Sequence, residues 1–189
     1  VGATRRAGAG ALAAAVQGHL RALAMPHADV MVQVGDDDPG DDVAFLLAAN
    51  PGSPLLPLAR VASGGELARA MLAVRLVLTE APDTLLFDEV DAGIGGAAAV
   101  AVGRSLAELG ERHQVLVVTH LPQVAAMADT QVVVSKSVID GVTVAQAAPV
   151  DGEHRVDELA RMLSGDLGGA AARQHAADLL RQRTRRPSG

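Results

Sequence analysis

Two adjacent carboxylates, Asp88 and Glu89, follow an apolar run that ends at Phe87. A short apolar run is typical of a buried strand, and open α/β sheets bind ligands at the carboxyl ends of their strands. Carboxylates buried there without a partner would be costly, so we expect a cation beside them. A hard cation such as Mg²⁺ suits oxygen ligands. The alternative is a strand that ends in a solvated acidic turn.

The segment Ser63-Gly64-Gly65 stands immediately before a predicted long helix. Glycine allows a ligand to approach the backbone closely, and the start of a helix offers free N–H groups and a partial positive charge. These features favour an anion site suited to phosphate. The alternative is ordinary helix capping, with Ser63 as the N-cap residue and Glu66 in the first turn.

A histidine, His120, follows the apolar run of residues 115–119. If that run is a strand parallel to the one before Asp88, both strand ends lie at the same edge of the sheet. The imidazole could then donate a hydrogen bond to a phosphate oxygen or to an attacking water molecule. A lone histidine is, however, more often a structural residue.

The chain lacks the lysine that anchors phosphates in most nucleotide sites. Of its 16 Lys and Arg residues, only Lys136 is a lysine, and no glycine-rich loop precedes it. A P-loop needs such a loop followed by lysine and Ser or Thr, because the lysine contacts the β- and γ-phosphates. The sequence therefore contains no Walker A motif.

Composition limits the remaining function classes. The 189 residues are 49% hydrophobic and correspond to about one domain. The absence of cysteine excludes disulfides, Cys-ligated zinc and a thiol nucleophile. No apolar run is long enough for a transmembrane helix, and the start of the sequence shows no export signal, so we expect a cytoplasmic protein. The net charge of −6 argues against a surface that wraps nucleic acid throughout.

In their order and spacing, these motifs resemble the C-terminal lobe of an ABC-type ATPase. The strand before Asp88 resembles the Walker B strand, Asp91 the D-loop aspartate and His120 the switch histidine. Glu66, where transporters usually carry Gln, indicates the SMC-like branch rather than a transporter subunit. So does the string Asp88-Glu89-Val90-Asp91.

Longer strings within this branch resemble the RecN family of bacterial DNA-repair ATPases. The resemblance extends from about residue 50 to residue 165, and it is strongest over residues 61–69, 87–96 and 118–125. Ala62 departs from the Leu that often leads the signature motif. The glycine-rich residues 93–96 replace the Ala-Leu-Asp of other SMC relatives, which favours the RecN family over them.

The resemblance implies ATP hydrolysis with Mg²⁺. Asp88 would hold Mg²⁺, Glu89 would orient and deprotonate the attacking water, and His120 would contact the γ-phosphate. Ser63, Gly64 and Gly65, with Glu66 completing the signature segment (residues 63–66), would close over ATP held by a second head, with Asp91 at the seam between heads. The implied partners are the N-terminal Walker A lobe of the same protein, a second head in an ATP-dependent homodimer, and DNA through the full-length protein. No membrane partner is implied, and the expected location is the cytoplasm, at the nucleoid.

The elements that must position these residues follow from periodicity and turn chemistry. Apolar strands that alternate with helices predict an α/β fold with a largely parallel sheet flanked by helices, together with β-hairpins. The predicted helices span residues 4–25, 67–80, 97–112, 122–128 and 153–163, with a last one from about residue 168. The predicted strands span residues 30–34, 43–47, 84–88, 115–119, 131–135 and 142–146, the last two around the turn dipeptide Asp140-Gly141.

We expect three parts along the chain. Residues 1–25 are predicted to be the stub of a coiled-coil helix, with an independent N-terminal helix as the alternative. Residues 26–180 form the C-terminal head lobe, and its acidic segment 35–42 is expected to be a solvated loop because it lacks calcium-loop spacing. Residues 181–189 are predicted to be a flexible basic tail, or a phosphate-contacting arm, that contains Arg181, Arg183, Arg185 and Arg186.

Two interpretations of function stay open. The first is one half of an ATP-hydrolysing head that acts in DNA double-strand-break repair and recombination, and that is inactive without its Walker A lobe. The second is a binding or scaffold module that keeps the lobe without hydrolysing ATP, or the head lobe of another SMC-family chromosome protein. The presence of Glu89 favours the first, because a degenerate lobe would be free to lose its general base.

Overall fold

The structure, a computed structural model, describes residues 1–60, 63–78, 83–139, 141–165 and 169–184. The chain divides into two compact units, Val1–Thr119 and His120–Gly189, which are described separately. Within the described ranges, no helix combines the length and the apolarity needed to cross a bilayer.

The described residues of the first unit form three α-helices, one short 3-10 helix (Leu58–Arg60) and five strands. In chain order the α-helices and strands are α1 (Gly2–Ala22), β1 (Asp29–Val34), β2 (Val43–Ala48), β3 (Leu56–Pro57), α2 (Gly64–Val77), β4 (Thr84–Phe87), α3 (Gly96–Leu109) and β5 (Gln114–Val117). Strands β1, β2 and β3 form an antiparallel sheet in that order, and β4 pairs with β5 in parallel.

Helix α1 packs through one apolar stripe, as its four-residue spacing predicts. Val16 and Leu20 are buried within the unit. The acidic loop between β1 and β2 is held by arginines of the same helix. Arg5 donates to the carboxylate of Asp41 at 2.6 Å, and Arg6 donates to the carbonyl oxygen of Gly35 at 2.7 Å. Side chains of α1 therefore compensate the negative charge of this loop.

The parallel pair β4–β5 is the part of the fold that carries the acidic motif. Its register runs from Thr84 opposite Gln114 to Phe87 opposite Val117. The two strands are joined through α3, and a helical crossover of this kind makes consecutive strands parallel. Leu85 and Phe87 are buried on one face of β4.

The parallel sheet contains fewer strands than the sequence predicts. Among the described strands, only β4 and β5 pair in parallel. The other strands are neighbours in the chain joined by short connections, and such connections produce antiparallel pairs.

The second unit contains the elements α4 (Pro122–Ala125), β6 (Gln131–Ile139), β7 (Val142–Val150), α5 (Gly152–Ser164) and α6 (Ala170–Thr184). Strands β6 and β7 form an antiparallel hairpin, as predicted, and Gly141 in its turn has a φ of 79°. The core of the unit lies between its helices and consists of Ala125, Ala126, Leu159, Ala160, Ala176 and Leu179.

A buried arginine, Arg155, ties α5 to the end of α4. Only 8% of Arg155 is exposed, and it donates to the carbonyl oxygens of Ala128 at 2.7 Å, Ala125 at 3.0 Å and Asp129 at 3.3 Å. Burial lowers the pKa of Arg155, as does the positive charge of Arg183, whereas Asp129 raises it. The arginine gathers carbonyl groups at and just after the end of α4, where a helix leaves acceptors available.

The predicted tail begins later than expected. Arg181 and Arg183 lie in the last turns of α6, where they pair with Asp178 and Asp129. Residues 181–184 therefore continue α6, and the two arginines pair with carboxylates one turn away and on the α4–β6 connection. Arg185 and Arg186, the predicted helix end at residue 80, Ala62, Asp140 and residue 168 lie outside the described residues.

Candidate functional site

The signature segment begins helix α2, as predicted. Ser63 is the N-cap residue, and its Oγ accepts a hydrogen bond from the backbone N–H of Glu66 at 3.4 Å. Ser63 and Gly64 are exposed, whereas Gly65 is buried. The capping interpretation is therefore realised, and the exposed start of the helix still presents its positive end to solvent.

The acidic pair follows β4 in a tight turn, here called the β4 turn (residues 88–92). The carboxylate of Asp88 accepts from the backbone N–H of Glu89 at 2.9 Å, and the carbonyl of Glu89 accepts from the N–H of Ala92 at 3.0 Å. Glu89 has a φ of 57°, in the left-handed region that is unfavourable for a residue with a side chain. Both carboxylates are exposed, so the strained turn holds them at the edge of the sheet.

The structure brings the signature segment directly against the β4 turn. A Cβ atom built on Gly64 would collide with the carboxylate of Glu89. A Cβ on Gly65 would lie 2.8 Å from the carbonyl oxygen of Ala92 and 3.0 Å from its Cβ. Glycine at position 65 is required by this approach, because a side chain there would meet the backbone of the turn, whereas a side chain at position 64 would displace only the end of the Glu89 side chain.

Asp91 is placed differently from the expectation. It was expected at a seam between two heads, but only 3% of it is exposed and its carboxylate accepts a hydrogen bond from the hydroxyl of Thr119. The carboxylate therefore points into its own unit and fixes the β4 turn to the end of β5. The neighbouring residues Gly93 and Gly95 are exposed and provide the outer surface of this loop.

Sequence reasoning missed a functional candidate, Arg69. This residue of α2 is 6% exposed and donates to the carbonyl oxygens of Ala92 at 3.0 Å and Val90 at 3.4 Å. Burial lowers the pKa of Arg69, and the nearby negative charge of Glu66 raises it. Arg69 thus joins the signature helix to the turn that carries the acidic pair.

The sequence does contain a signal for Arg69. Gly65, Arg69 and Leu72 are spaced by four and three residues, so they share one face of α2, and all three are buried. A cation on an otherwise apolar face needs acceptors from a neighbouring element. That spacing predicts a buried, hydrogen-bonded arginine.

Two other residues considered from the sequence lie in the second unit. His120 is its first residue and is exposed. Lys136 lies within β6 opposite Ala145, so it does not belong to a loop before a helix. This position agrees with the absence of a P-loop from the sequence.

The donor set of the first unit fits a magnesium ion only with help from a substrate. Asp88 offers an exposed hard oxygen ligand. In the part of the chain that the structure describes, no three His, Asp, Glu or Cys side chains form a group that could hold a metal ion. Magnesium commonly binds through one or two carboxylates, substrate phosphates and water, which is the arrangement that a single Asp88 ligand would require.

Relatives of the chain share its sequence over most of its length. The chain is 49% identical to the DNA repair protein RecN of Streptomyces coelicolor over 187 residues, which cover 89% of this chain and 33% of that protein. This chain is a RecN homologue. RecN of Deinococcus radiodurans is 49% identical over 85% of this chain and 29% of its own length. The chain therefore spans about a third of the length of the RecN proteins that it matches.

Solved structures show which fold this part of RecN adopts. One is the Smc head domain of Pyrococcus yayanosii, solved with a coiled coil and joint. The match covers 79% of this chain and 28% of that chain, with a TM-score of 0.59 and 23% sequence identity. A structure from work on ATP-driven dimerization of SMC ATPases matches 86% of the chain and 96% of its own with a TM-score of 0.53 at 20% identity. No protein-family model matches the chain.

These matches confirm the predicted fold class. The RecN homologue has the α/β fold of part of an SMC ATPase head. The motifs that suggested the RecN family, the signature segment and the acidic pair, lie in contact in this fold.

Proposed function

We propose that the chain is the C-terminal, signature-bearing half of an ATP-hydrolysing head that acts in DNA double-strand-break repair. The observation that carries the proposal is the contact between the signature segment and Glu89, in a chain homologous to RecN. The residues that would bind phosphate and activate water would thereby lie side by side in one compact unit. Such chemistry depends mostly on positioning and charge neutralisation.

The roles proposed for the acidic pair are those that the resemblance implies, and its exposed carboxylates are chemically suited to them. Asp88 would hold Mg²⁺, which when bound neutralises charge on the phosphate oxygens. The exposed Glu89 would orient the attacking water and accept its proton, as a general base does. His120 would donate a hydrogen bond to the γ-phosphate. All three would serve the nucleotide of their own head.

The signature segment would serve the nucleotide of a second head. The start of α2 presents backbone N–H groups and a partial positive charge, which suit the γ-phosphate of ATP. We therefore propose a homodimer of heads that forms around ATP and separates after hydrolysis. Because the carboxylate of Asp91 is buried, the exposed glycines after it, rather than that carboxylate, would lie at the seam.

The missing phosphate anchor would come from an N-terminal Walker A lobe of the same protein. One face of the parallel pair β4–β5 supports this partner, since it exposes 69% of Leu86, 49% of Leu116 and 59% of Val118. Parallel strands are normally covered on both faces, so this apolar face calls for another layer. We propose that the Walker A lobe covers it.

The full-length protein would act on DNA in the bacterial cytoplasm, at the nucleoid. In this proposal residues 1–25, including α1, would continue into the coiled coil of the head. The arginines at the end of α6 are already paired with aspartates, so they give little support to a DNA-binding arm.

ATP turnover of the full-length protein tests the proposal. Glu89→Gln keeps the shape of the side chain and removes its basicity, so we expect kcat to fall at least about 100-fold. Glu108→Gln, the same change on the exposed surface of α3, should leave kcat unchanged. The 189-residue chain alone should not hydrolyse ATP.

The contrary outcomes separate the two interpretations. ATP binding without turnover by the wild-type protein would favour the scaffold module. Undiminished turnover in Glu89→Gln would remove Glu89 from the reaction. Turnover by the isolated chain would show that a Walker A lobe is not needed.

A further inference from the structure

The guanidinium of Arg69 bridges two segments with different tasks. Its side chain starts from α2, whose first residues form the signature segment, and it ends on the carbonyl oxygens of Val90 and Ala92 in the β4 turn. A Cβ atom on Gly65 would lie 3.2 Å from the Nη1 atom of Arg69, so the helix start and the guanidinium are packed together. A displacement of the helix start must therefore move the β4 turn.

Stability alone does not account for this arginine. Its recorded acceptors are neutral carbonyl groups, and its buried Nε atom has no hydrogen-bond partner. Desolvating a cation is expensive, and this cost offsets much of what the two hydrogen bonds contribute. A methionine would avoid burying a charge but would leave the two carbonyl groups without their donor, so some loss of stability is expected in Arg69→Met, as it is in Arg155→Met.

The β4 turn is held from a second side as well. The hydroxyl of Thr119, at the end of β5, donates to the carboxylate of Asp91, which lies between the two acceptors of Arg69. The turn thus has two fixed points, one on β5 and one on α2. Only the link to α2 connects it to the segment that would contact a second nucleotide.

We propose that Arg69 is a positioning residue that couples the two nucleotide sites of a two-head assembly. It does so by transmitting the position of the signature segment to the β4 turn. This inference rests on the proposed function. In that proposal the signature segment contacts the ATP bound to the partner head, whereas the acidic pair acts on the ATP bound to its own head. Binding of one nucleotide would place Glu89 for hydrolysis of the other.

The test is the ATP dependence of turnover by the full-length protein and its variants Arg69→Met and Arg69→Lys. For the wild type we expect a Hill coefficient above 1. In Arg69→Met we expect kcat to fall about 10-fold or more, a loss typical of a misplaced catalytic group. We also expect the Hill coefficient to approach 1, because the two sites would no longer be coupled. The affinity of a single, undimerised head for a fluorescent ATP analogue should be the same in Arg69→Met as in the wild type. The Walker A lobe of that head would hold the nucleotide without help from the partner. Arg69→Lys, which keeps one charged donor, should recover part of both losses.

Arg155→Met is the matched control. It removes the other buried arginine that donates to backbone carbonyl groups, and it should lower the melting temperature while the Hill coefficient stays at the wild-type value. If Arg69→Met does not fold, Arg69→Lys carries the same comparison.

Three results would overturn the inference. They are unchanged kcat and Hill coefficient in the Arg69 variants, a Hill coefficient of 1 in an active wild type, and a loss of kcat that the melting temperature explains while cooperativity persists. A wild-type protein without any ATP turnover would instead contradict the proposed function.

Discussion

Among the described residues, each of the two units buries one arginine, and the two arginines differ in what they hold. Arg155 donates to three carbonyl groups at and just after the end of α4. Arg69 donates to two carbonyl groups of a turn whose neighbours are exposed carboxylates. The same side chain therefore completes a helix in one unit and positions a candidate site in the other.

The difference shows that burial of a charged residue does not reveal its purpose. Both arginines have a buried Nε atom without a partner, and burial is the main cause that lowers the pKa of each. What separates them is the chemistry next to their acceptors. Stability measurements and activity measurements should therefore respond differently to the two residues.

The largest effect on stability is expected for Arg155→Met. The substitution leaves three carbonyl groups without their charged donor, and we expect it to lower the free energy of unfolding by about 3 kcal/mol. Urea denaturation of the full-length protein, followed by circular dichroism, measures this loss. A loss below about 1 kcal/mol would mean that Arg155 does not complete α4 in the way described.

The two glycines of the signature segment should respond differently to substitution, because they face different parts of the β4 turn to which Arg69 donates. In Gly65→Ala the new methyl group meets the backbone carbonyl of Ala92, which cannot rotate away, so we expect a loss of about 1–2 kcal/mol in the free energy of unfolding. In Gly64→Ala it meets only the end of the Glu89 side chain, which can move. Stability should then stay nearly constant while kcat falls, because the proposed general base, Glu89, would be displaced.

Urea denaturation and ATP turnover, measured on the same preparations, check both glycine substitutions. Equal stability losses in Gly64→Ala and Gly65→Ala would contradict the different contacts assigned to the two positions. Unchanged turnover in Gly64→Ala would show that the contact with Glu89 is not needed for the reaction.

The smallest effect is expected for Arg183→Ala. The pair that Arg183 forms with Asp129 is at the surface, with 78% of the aspartate side chain exposed, and such pairs contribute little. The substitution also removes a positive charge that disfavours the ionised form of Arg155. The two effects oppose each other, and we expect a change below about 0.5 kcal/mol in the same denaturation experiment. A larger loss would show that Arg183 supports the anchor formed by Arg155.

Local patterns predicted most of the fold because they act over a few residues. The stripe of α1, the Ser63 cap of α2 and the Gly141 turn of the second hairpin all lie where periodicity and turn chemistry place them. The extent of the parallel sheet was not predictable in this way. It depends on which strands meet in space, and short connections join most of them as antiparallel pairs.

The candidate site was predictable in its residue types and only in part in its geometry. The acidic pair and the signature segment were found from their spacing, and the structure places them in contact. Burial of Asp91 depends on Thr119, which is 28 residues away, and no local pattern reports such a contact. The periodic position of Arg69 could have been noticed, but its acceptors could not be identified without the fold.

The exposed apolar face of β4 and β5 affects whether the chain aggregates in a cell. Among the described residues the sheet has only these two strands, so each also has a free edge next to Leu86, Leu116 or Val118. Free strand edges beside aliphatic side chains are templates for aggregation. A lobe that covers this face would therefore also act as an intramolecular chaperone. Expression of the 189 residues alone should yield self-associating material, unless Leu86 and Leu116 are replaced by polar residues.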